Sequence, residues 1–245
     1  MLKIYEVNES SNLHLDKDHA SIIKIKAGAN LNLKISAKQD ILMIFENKEN
    51  LKTNQNIELL EGSEVLFHFL SLDDSHLIQD TNFHLQKNTS LNIKSNYLVS
   101  KDKTVAIKVY HHDKRSLADM DNSAIIKDGA KANFKAFGHI DNGASGSKHH
   151  QKTRCLTIDD VNRSQIEPIL QIYENDVEAS HAMSLGTVDE DVMYYLNTRG
   201  LNYNQALALI CESYLSNDYS FLKDENAIKE VEELTREKVN NLWFH

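Results

Sequence analysis

Short runs in which apolar and polar residues alternate occur along the chain up to about residue 172. Successive side chains of a β-strand point to opposite faces, so this pattern indicates strands with one buried and one solvated face. The chain is therefore expected to be mainly β over most of its length. The clearest runs are Ile23–Ile25, Leu31–Ile35, Val65–Phe69, Leu91–Ile93 and Val105–Val109.

Several of these runs share a lead-in of small residues, which begins at Gly28, Gly62, Asn88 and Gly129. The starts are 34, 26 and 41 residues apart, which indicates a degenerate repeat with unequal loops between coils. Only two dipeptides typical of two-residue hairpins occur in this part, Asp128-Gly129 and Asn142-Gly143. The pattern favours a β-solenoid, with a hairpin-built β-sandwich as the alternative.

After Gly186 the apolar spacing changes to three and four residues, which is typical of helices. Thr187 and Glu190 fit a capping box, and Arg199-Gly200 fits a helix end. A first helix is expected between them, and its apolar face is expected to contain Val192, Tyr195 and Leu196.

Two more helices are expected over residues 202–215 and 225–242. The apolar face of the second is predicted to include Ala206, Leu209 and Ile210. Trp243 and Phe244 are expected to close the last helix against its neighbour, or alternatively to dock another subunit. The sequence thus predicts a β domain over residues 1–185 and a small helical domain over 186–245.

Composition excludes several classes of protein. The net charge is −9 and no basic stripe is present, so a nucleic-acid partner is not expected. No apolar run of about 18 residues and no secretory signal pattern occur, which favours a cytoplasmic protein without a membrane span. Cys155 and Cys211 are the only cysteines, so a four-thiolate cluster site within one chain is impossible.

Twelve histidines are the main candidates for metal chemistry. Adjacent strand residues point to opposite faces, so neither His111-His112 nor His149-His150 can chelate one ion with both rings. His149 or His150 together with Cys155 is a secondary candidate for a nitrogen and sulfur site. Cys155 is otherwise interpreted as a structural residue.

A catalytic motif is not apparent. The sequence lacks a nucleophile elbow, a phosphate-binding loop, a dinucleotide fingerprint and a zinc-protease helix motif, and the Gly143–Ser147 segment is interpreted as a polar loop. The chain is therefore not expected to be an enzyme. A stand-alone metalloenzyme that uses His149, His150 and His181 is the alternative.

Four segments carry a family resemblance. Ser180–Gly186 takes the place of a Ser-His-Gly-Ala-Thr-Val-Gly motif, and Tyr194–Gly200 takes the place of Phe-Tyr-Leu-x-Ser-Arg-Gly. Glu167–Val177 and Arg154–Asp160 match the strands that precede these motifs. Together the segments resemble the SufB/SufD family, the scaffolds of the SUF system for iron–sulfur cluster assembly. Ala179 stands where that family has a cysteine.

The resemblance implies a right-handed parallel β-helix followed by a small C-terminal helical domain. It also implies a SufBCD complex, with a SufB-like subunit and the SufC ABC-type ATPase as partners, and leaves a homodimer open for the isolated chain. The helical end would dock SufC, and Tyr195, Arg199 and Gly200 are assigned to a partner interface.

The resemblance makes His181 the candidate ligand of iron or of a transient cluster at the SufB interface, in a turn at a sheet-to-helix junction. The essential cysteine of SufB falls near Asn162, so the chain is similar to the SufD branch. The chain is also shorter than typical SufD members at its N-terminus. Flavin association, which is attributed to the complex, is therefore not assigned to it.

Overall fold

The chain folds as a parallel β-helix, described here from a computed structural model over residues 2–26, 28–46, 50–158, 163–215 and 218–241. In these ranges the strands alternate between two parallel sheets. The odd sheet has eight strands, in the order β1 (Lys3–Val7), β3 (His19–Ile25), β5 (Lys38–Phe45), β7 (Glu64–Ser71), β9 (Ser90–Val99), β11 (Leu117–Ile126), β13 (Ser147–Thr157) and β15 (Val177–Thr187). The even sheet has seven, from β2 (Ser11–Leu15) through β4 (Asn30–Ile35), β6 (Leu51–Leu59), β8 (Leu77–Leu85), β10 (Lys103–His111) and β12 (Ala132–Ile140) to β14 (Gln165–Ile172).

The strand register explains the irregular repeat. Val65 pairs with Leu91, so the 26-residue step from Gly62 to Asn88 is one true coil. The other two steps run between turns that lead into different sheets. Gly28, for example, precedes a strand of the even sheet, whereas Gly62 precedes a strand of the odd sheet. The expected solenoid is confirmed, but only one of the three inferred spacings is a coil length.

Alternating side chains of both sheets fill the interior of the β-helix. Phe67, Phe69 and Phe83 form an aromatic cluster there, with ring centroids 4.8–6.2 Å apart. The inner face becomes more polar toward the C-terminal coil. One inward row of the odd sheet shows the change, since its cross-strand neighbours are Ile41, Phe67, Ile93, Met120, Gln151 and His181.

Three α-helices follow the strands: α1 (Glu190–Thr198), α2 (Tyr203–Leu215) and α3 (Glu225–Asn241), with a short 3₁₀ helix at Ser220–Leu222. They cover the outer face of the odd sheet, where Leu42, Leu70, Leu98 and Ile125 share an apolar cluster with Leu207, Cys211 and Leu215. His68 is buried in this layer, where its Nε2 lies 3.0 Å from Oδ1 of Asn96. No helix in the described ranges is long and apolar enough to span a membrane.

The helix starts differ from the sequence prediction. Asp189 caps α1, because its Oδ1 accepts hydrogen bonds from the backbone N–H groups of Asp191 and Val192. The capping box predicted at Thr187 is therefore wrong. A reciprocal box occurs instead on α2, where the side chains of Asn202 and Gln205 each accept the other's backbone N–H.

The predicted helix faces are also partly wrong. Met193 is the buried residue of α1, whereas Val192 and Tyr195 are exposed. In α2, Ala206 is buried as expected, but Leu209 is exposed and Leu207 is buried instead. The end of α1 is confirmed, since Arg199 is its C-cap and Gly200 has a φ of 94°. Asn162, Trp243 and Phe244 lie outside the described residues.

The Ser180–Gly186 segment is not a turn. It lies within β15, which pairs with β13 without interruption from Val177 to Thr187. His181 is consequently in the middle of a strand, and α1 begins three residues after that strand ends.

Candidate functional site

The last coil of the β-helix is open. β14 and β15 are the terminal strands of their sheets, and neither has a described neighbour on its outer side. Pro168, the only proline of the chain, is in β14, which agrees with the confinement of proline to edge strands. The outer backbone edges of both strands are therefore without a partner strand in the part of the chain that the structure describes.

Apolar side chains that would be core residues in an inner coil are exposed at this end. Met183 and Leu185 face inward, because their cross-strand partners Thr153 and Cys155 are buried in the interior, yet they are 58% and 39% exposed. On β14, Leu170 is only half-buried and Ile172 is exposed. The open coil thus presents an apolar end face.

His181 lies on this end face. Its cross-strand partner Gln151 is buried on the inner side of β13, so His181 also points to the inner side, between Ala179 and Met183 along β15. The ring is exposed because no further coil in the described residues covers it. Strand pairing thus gives His181 its orientation, and the absence of a described covering coil gives it its accessibility.

The other predicted metal candidates are not brought together with His181. His149 is buried in the interior, whereas His150 is on the outer face of the same strand. Nδ1 of His150 lies 2.7 Å from Oγ of Ser180. Cys155 is six residues beyond His149 along the strand, about 20 Å away, and burial raises the pKa of its thiol to about 12. In the described part of the chain, no three His, Cys, Asp or Glu side chains form a group suited to a metal ion.

A buried pair of imidazoles lies beneath the open coil, and no pattern in the sequence predicts it. Nε2 of His111 on β10 is 3.1 Å from Nδ1 of His149 on β13, across the interior. Burial lowers the pKa of His111 to about 3 and that of His149 to about 4, so both rings are neutral. Such contacts between sheets depend on register, which alternation alone does not determine.

His112 points outward, as predicted for the neighbour of His111. Its Nε2 lies 2.9 Å from Nδ1 of His84, and its Nδ1 lies 2.7 Å from Oδ2 of Asp141. The rings of His84 and His112 are nearly parallel, with centroids 5.2 Å apart. The distance between the two ring nitrogens is that of a hydrogen bond.

The helical surface carries the residues assigned to a partner interface. Tyr195 is 54% exposed on α1, and the guanidinium of Arg199 lies 5.1 Å from the centroid of its ring. Tyr194, Tyr203 and Leu209 are exposed on α1 and α2 as well. Exposed apolar and aromatic side chains of this kind are typical of interaction surfaces.

Fold and site together define a parallel β-helix protein with an open C-terminal coil and a helical layer on one sheet. A family model described as "SUF system FeS cluster assembly, SufBD core domain" matches residues 2–214. The chain therefore belongs to the SufB/SufD family of iron–sulfur cluster assembly proteins.

Individual relatives agree with this family. The chain is 33% identical over 132 residues to the iron-sulfur cluster assembly protein SufD of Bacillus subtilis, which is 54% of this chain and 30% of that protein. It is 22% identical over 211 residues to SufD of Escherichia coli, 83% of this chain and 50% of that protein. A SufBD family protein of Mycobacterium tuberculosis is 26% identical over 108 residues, 44% of this chain and 13% of that protein. The chain thus spans half or less of these relatives.

Proposed function

We propose that this chain is a SufD-type scaffold subunit of a cytoplasmic SufBCD complex. It pairs through its last coil with a SufB-like subunit, contributes His181 as a ligand for iron or a nascent iron–sulfur cluster, and docks a SufC-type ATPase through its helices. It catalyses no reaction of its own. The observation that carries the proposal is the exposure of His181 within an apolar end face, between two strand edges that have no partner strand in the described residues.

The edge of β15 supports pairing with another chain. This strand has eleven residues, contains no proline and has one charged residue, Glu178. Natural proteins protect edges of this length with charges, proline or bulges, because an unprotected edge associates with other strands. A SufB-like subunit that adds strands here would cover Met183 and Leu185 and complete the interior of the last coil.

The proposed role of His181 is that of a labile ligand. A neutral imidazole binds iron, and a single imidazole binds it weakly enough for a cluster to be passed on. Burial raises the pKa of both Cys155 and Cys211 to about 12, so both thiols stay protonated. Since thiolates are the usual ligands of iron–sulfur clusters, the SufB-like subunit would have to supply them.

The helical surface is the proposed site for the ATPase. Tyr194 and Tyr195 are 73% and 54% exposed, and Leu209 is exposed on the neighbouring helix. Tyrosine is enriched in interfaces because its ring buries apolar area while its hydroxyl remains hydrogen-bonded. No specific observation favours the metalloenzyme alternative, because His149 and His150 point to opposite sides of β13.

Co-purification tests the pairing. The tagged chain is co-expressed with the SufB-like and SufC-type proteins of its own genome, and both are quantified after capture. The double variant Met183→Asp, Leu185→Asp is expected to capture at least about tenfold less of the SufB-like subunit, since each carboxylate would be buried unpaired in the interface. The matched control is Ile4→Asp, which changes a 59% exposed residue on β1, at the opposite end of the odd sheet.

Two results would contradict the pairing. One is a wild-type chain that captures no SufB-like subunit, and the other is a double variant that captures as much as the wild type. For the ATPase, Tyr195→Ala combined with Leu209→Ala is expected to reduce SufC capture and to leave SufB capture unchanged.

A further inference from the structure

Gln151 is the polar neighbour of His181 on the inner side of the odd sheet. The two residues are cross-strand partners, and adjacent strands are about 4.8 Å apart. Along β15 the nearest residues on the same face are Ala179 and Met183, neither of which offers a conventional hydrogen-bonding group. Among these three closest neighbours, only Gln151 can therefore bond the imidazole of His181.

The amide of Gln151 has a fixed orientation. Its Nε2 lies 3.4 Å from the backbone oxygen of Ile169, which can only accept, so the amide nitrogen must face that oxygen. Its Oε1 then lies 3.2 Å from Nε2 of His149 and accepts a hydrogen bond from it. A flip of the amide would place two acceptors against each other.

The same reasoning assigns the ring protons of the two histidines deeper in the interior, His149 and His111. His149 carries its proton on Nε2, so its Nδ1 accepts from Nε2 of His111. Nδ1 of His111 then accepts from Oγ of Ser116, at 2.7 Å. From His111 to Gln151 each member has one consistent donor or acceptor role, and these residues are buried.

We propose that Oε1 of Gln151 accepts a hydrogen bond from one ring N–H of His181 when a partner closes the open coil, and thereby leaves the other ring nitrogen to bind iron or a cluster. A carbonyl oxygen has two lone pairs, and His149 uses only one of them. Histidine ligands generally donate their second N–H to an oxygen, which fixes the tautomer and the ring orientation. Gln151 is thus a positioning residue, and this inference rests on the proposed function of His181.

A double-mutant cycle tests whether Gln151 acts through His181. The variant Gln151→Met conserves volume and removes the acceptor. In the assembled complex it is expected to lower the cluster content about tenfold in the wild-type background and to have no further effect with His181→Ala. Two results overturn the inference. One is a wild-type cluster content in Gln151→Met, and the other is a loss caused by Gln151→Met in the His181→Ala background that equals its loss in the wild-type background. Thr153→Val, also inward on β13, is the control and is expected to retain the wild-type content.

The tautomer of His181 provides a readout that does not depend on cluster content. In the cluster-free complex, with this chain labelled with ¹⁵N-histidine, His181 is expected to show a single tautomer. Gln151→Met is expected to give a mixture, whereas Thr153→Val is not. The same tautomer ratio in the wild type and in Gln151→Met contradicts the inference.

The two proposals can fail separately. If His181→Ala leaves cluster content unchanged, the ligand role proposed above fails, and the tautomer still decides whether Gln151 bonds His181. If Gln151→Met does not fold, Gln151→Leu decides, because it also removes the acceptor. That variant is expected to lower the cluster content about tenfold, and wild-type cluster content in it overturns the inference.

Discussion

The ring of His149 occupies the space where a side chain at position 138 would begin. A Cβ at Gly138 would lie 2.5 Å from Nε2 of His149, closer than real contacts allow. The two residues belong to strands of different sheets, so this contact crosses the interior of the β-helix. The ring cannot easily move away, because His111 and Gln151 hold its two nitrogens.

Gly138→Ala is therefore expected to destabilise the fold by about 1–3 kcal/mol, the usual cost of overpacking a core. The free energy of unfolding in urea measures this effect. Gly186→Ala is the matched control, because a Cβ there meets no atom within 4 Å, and it is expected to change stability by less than about 0.5 kcal/mol. Equal stability of Gly138→Ala and the wild type would show that His149 is not held in place.

Acid is expected to destabilise the chain through its buried histidines. Loss of solvent lowers the pKa of His68 and His149 to about 4 and that of His111 to about 3. The unfolded chain, with a histidine pKa of about 6.5, binds more protons below that pH, so stability is retained above pH 6.5 and lost as the pH falls toward 4. Each of these histidines is expected to lower the free energy of unfolding by roughly 2 kcal/mol as the pH falls from 6.5 to 5.

Urea unfolding at pH 7 and pH 5 measures this loss of stability. His68→Phe preserves a ring against Tyr219 and is expected to reduce the loss by roughly 2 kcal/mol. His14→Ala, at an exposed position on β2, is expected to leave the loss unchanged. An unfolding free energy that is the same at both pH values in the wild type would contradict the neutral state assigned to the buried pair.

The cap of α1 gives a local prediction. Asp189→Ala removes the acceptor for two backbone N–H groups and is expected to destabilise the helix by about 1 kcal/mol. Thr187→Ala is expected to have no such effect, because Asp189 rather than Thr187 is the cap. Hydrogen exchange of residues 190–198 measures both changes, and faster exchange in Thr187→Ala alone would restore the capping box predicted from the sequence.

Much of the β-helix could be predicted from the sequence. The alternating runs lie in the strands, because burial on one face and solvent on the other select residues in the same order as the backbone pleat. The number of residues per coil was harder to predict from the sequence, because the lead-ins at Gly28 and Gly62 belong to turns that precede strands of different sheets. Register, which joins His111 to His149 across 38 residues, has no local signal.

Two of the errors fall on surfaces that are exposed in the chain and assigned to a partner. Val192 and Tyr195 are apolar enough to predict a buried helix face, yet both are exposed. The Ser180–Gly186 segment has inward residues that no described coil covers, so its small side chains resemble a turn more than a core strand. The sequence shows that a side chain is apolar, but it does not show whether residues of the same chain or of a partner bury it.

The central claim, that a SufB-like subunit closes the open coil, is tested most directly by hydrogen exchange of β15 in the free chain and in the complex. The amides of residues 177–187 that face the free edge are expected to become protected when the SufB-like subunit binds, while those of β1, residues 3–7, exchange as before. A complex that forms while exchange in β15 stays unchanged would contradict the claim.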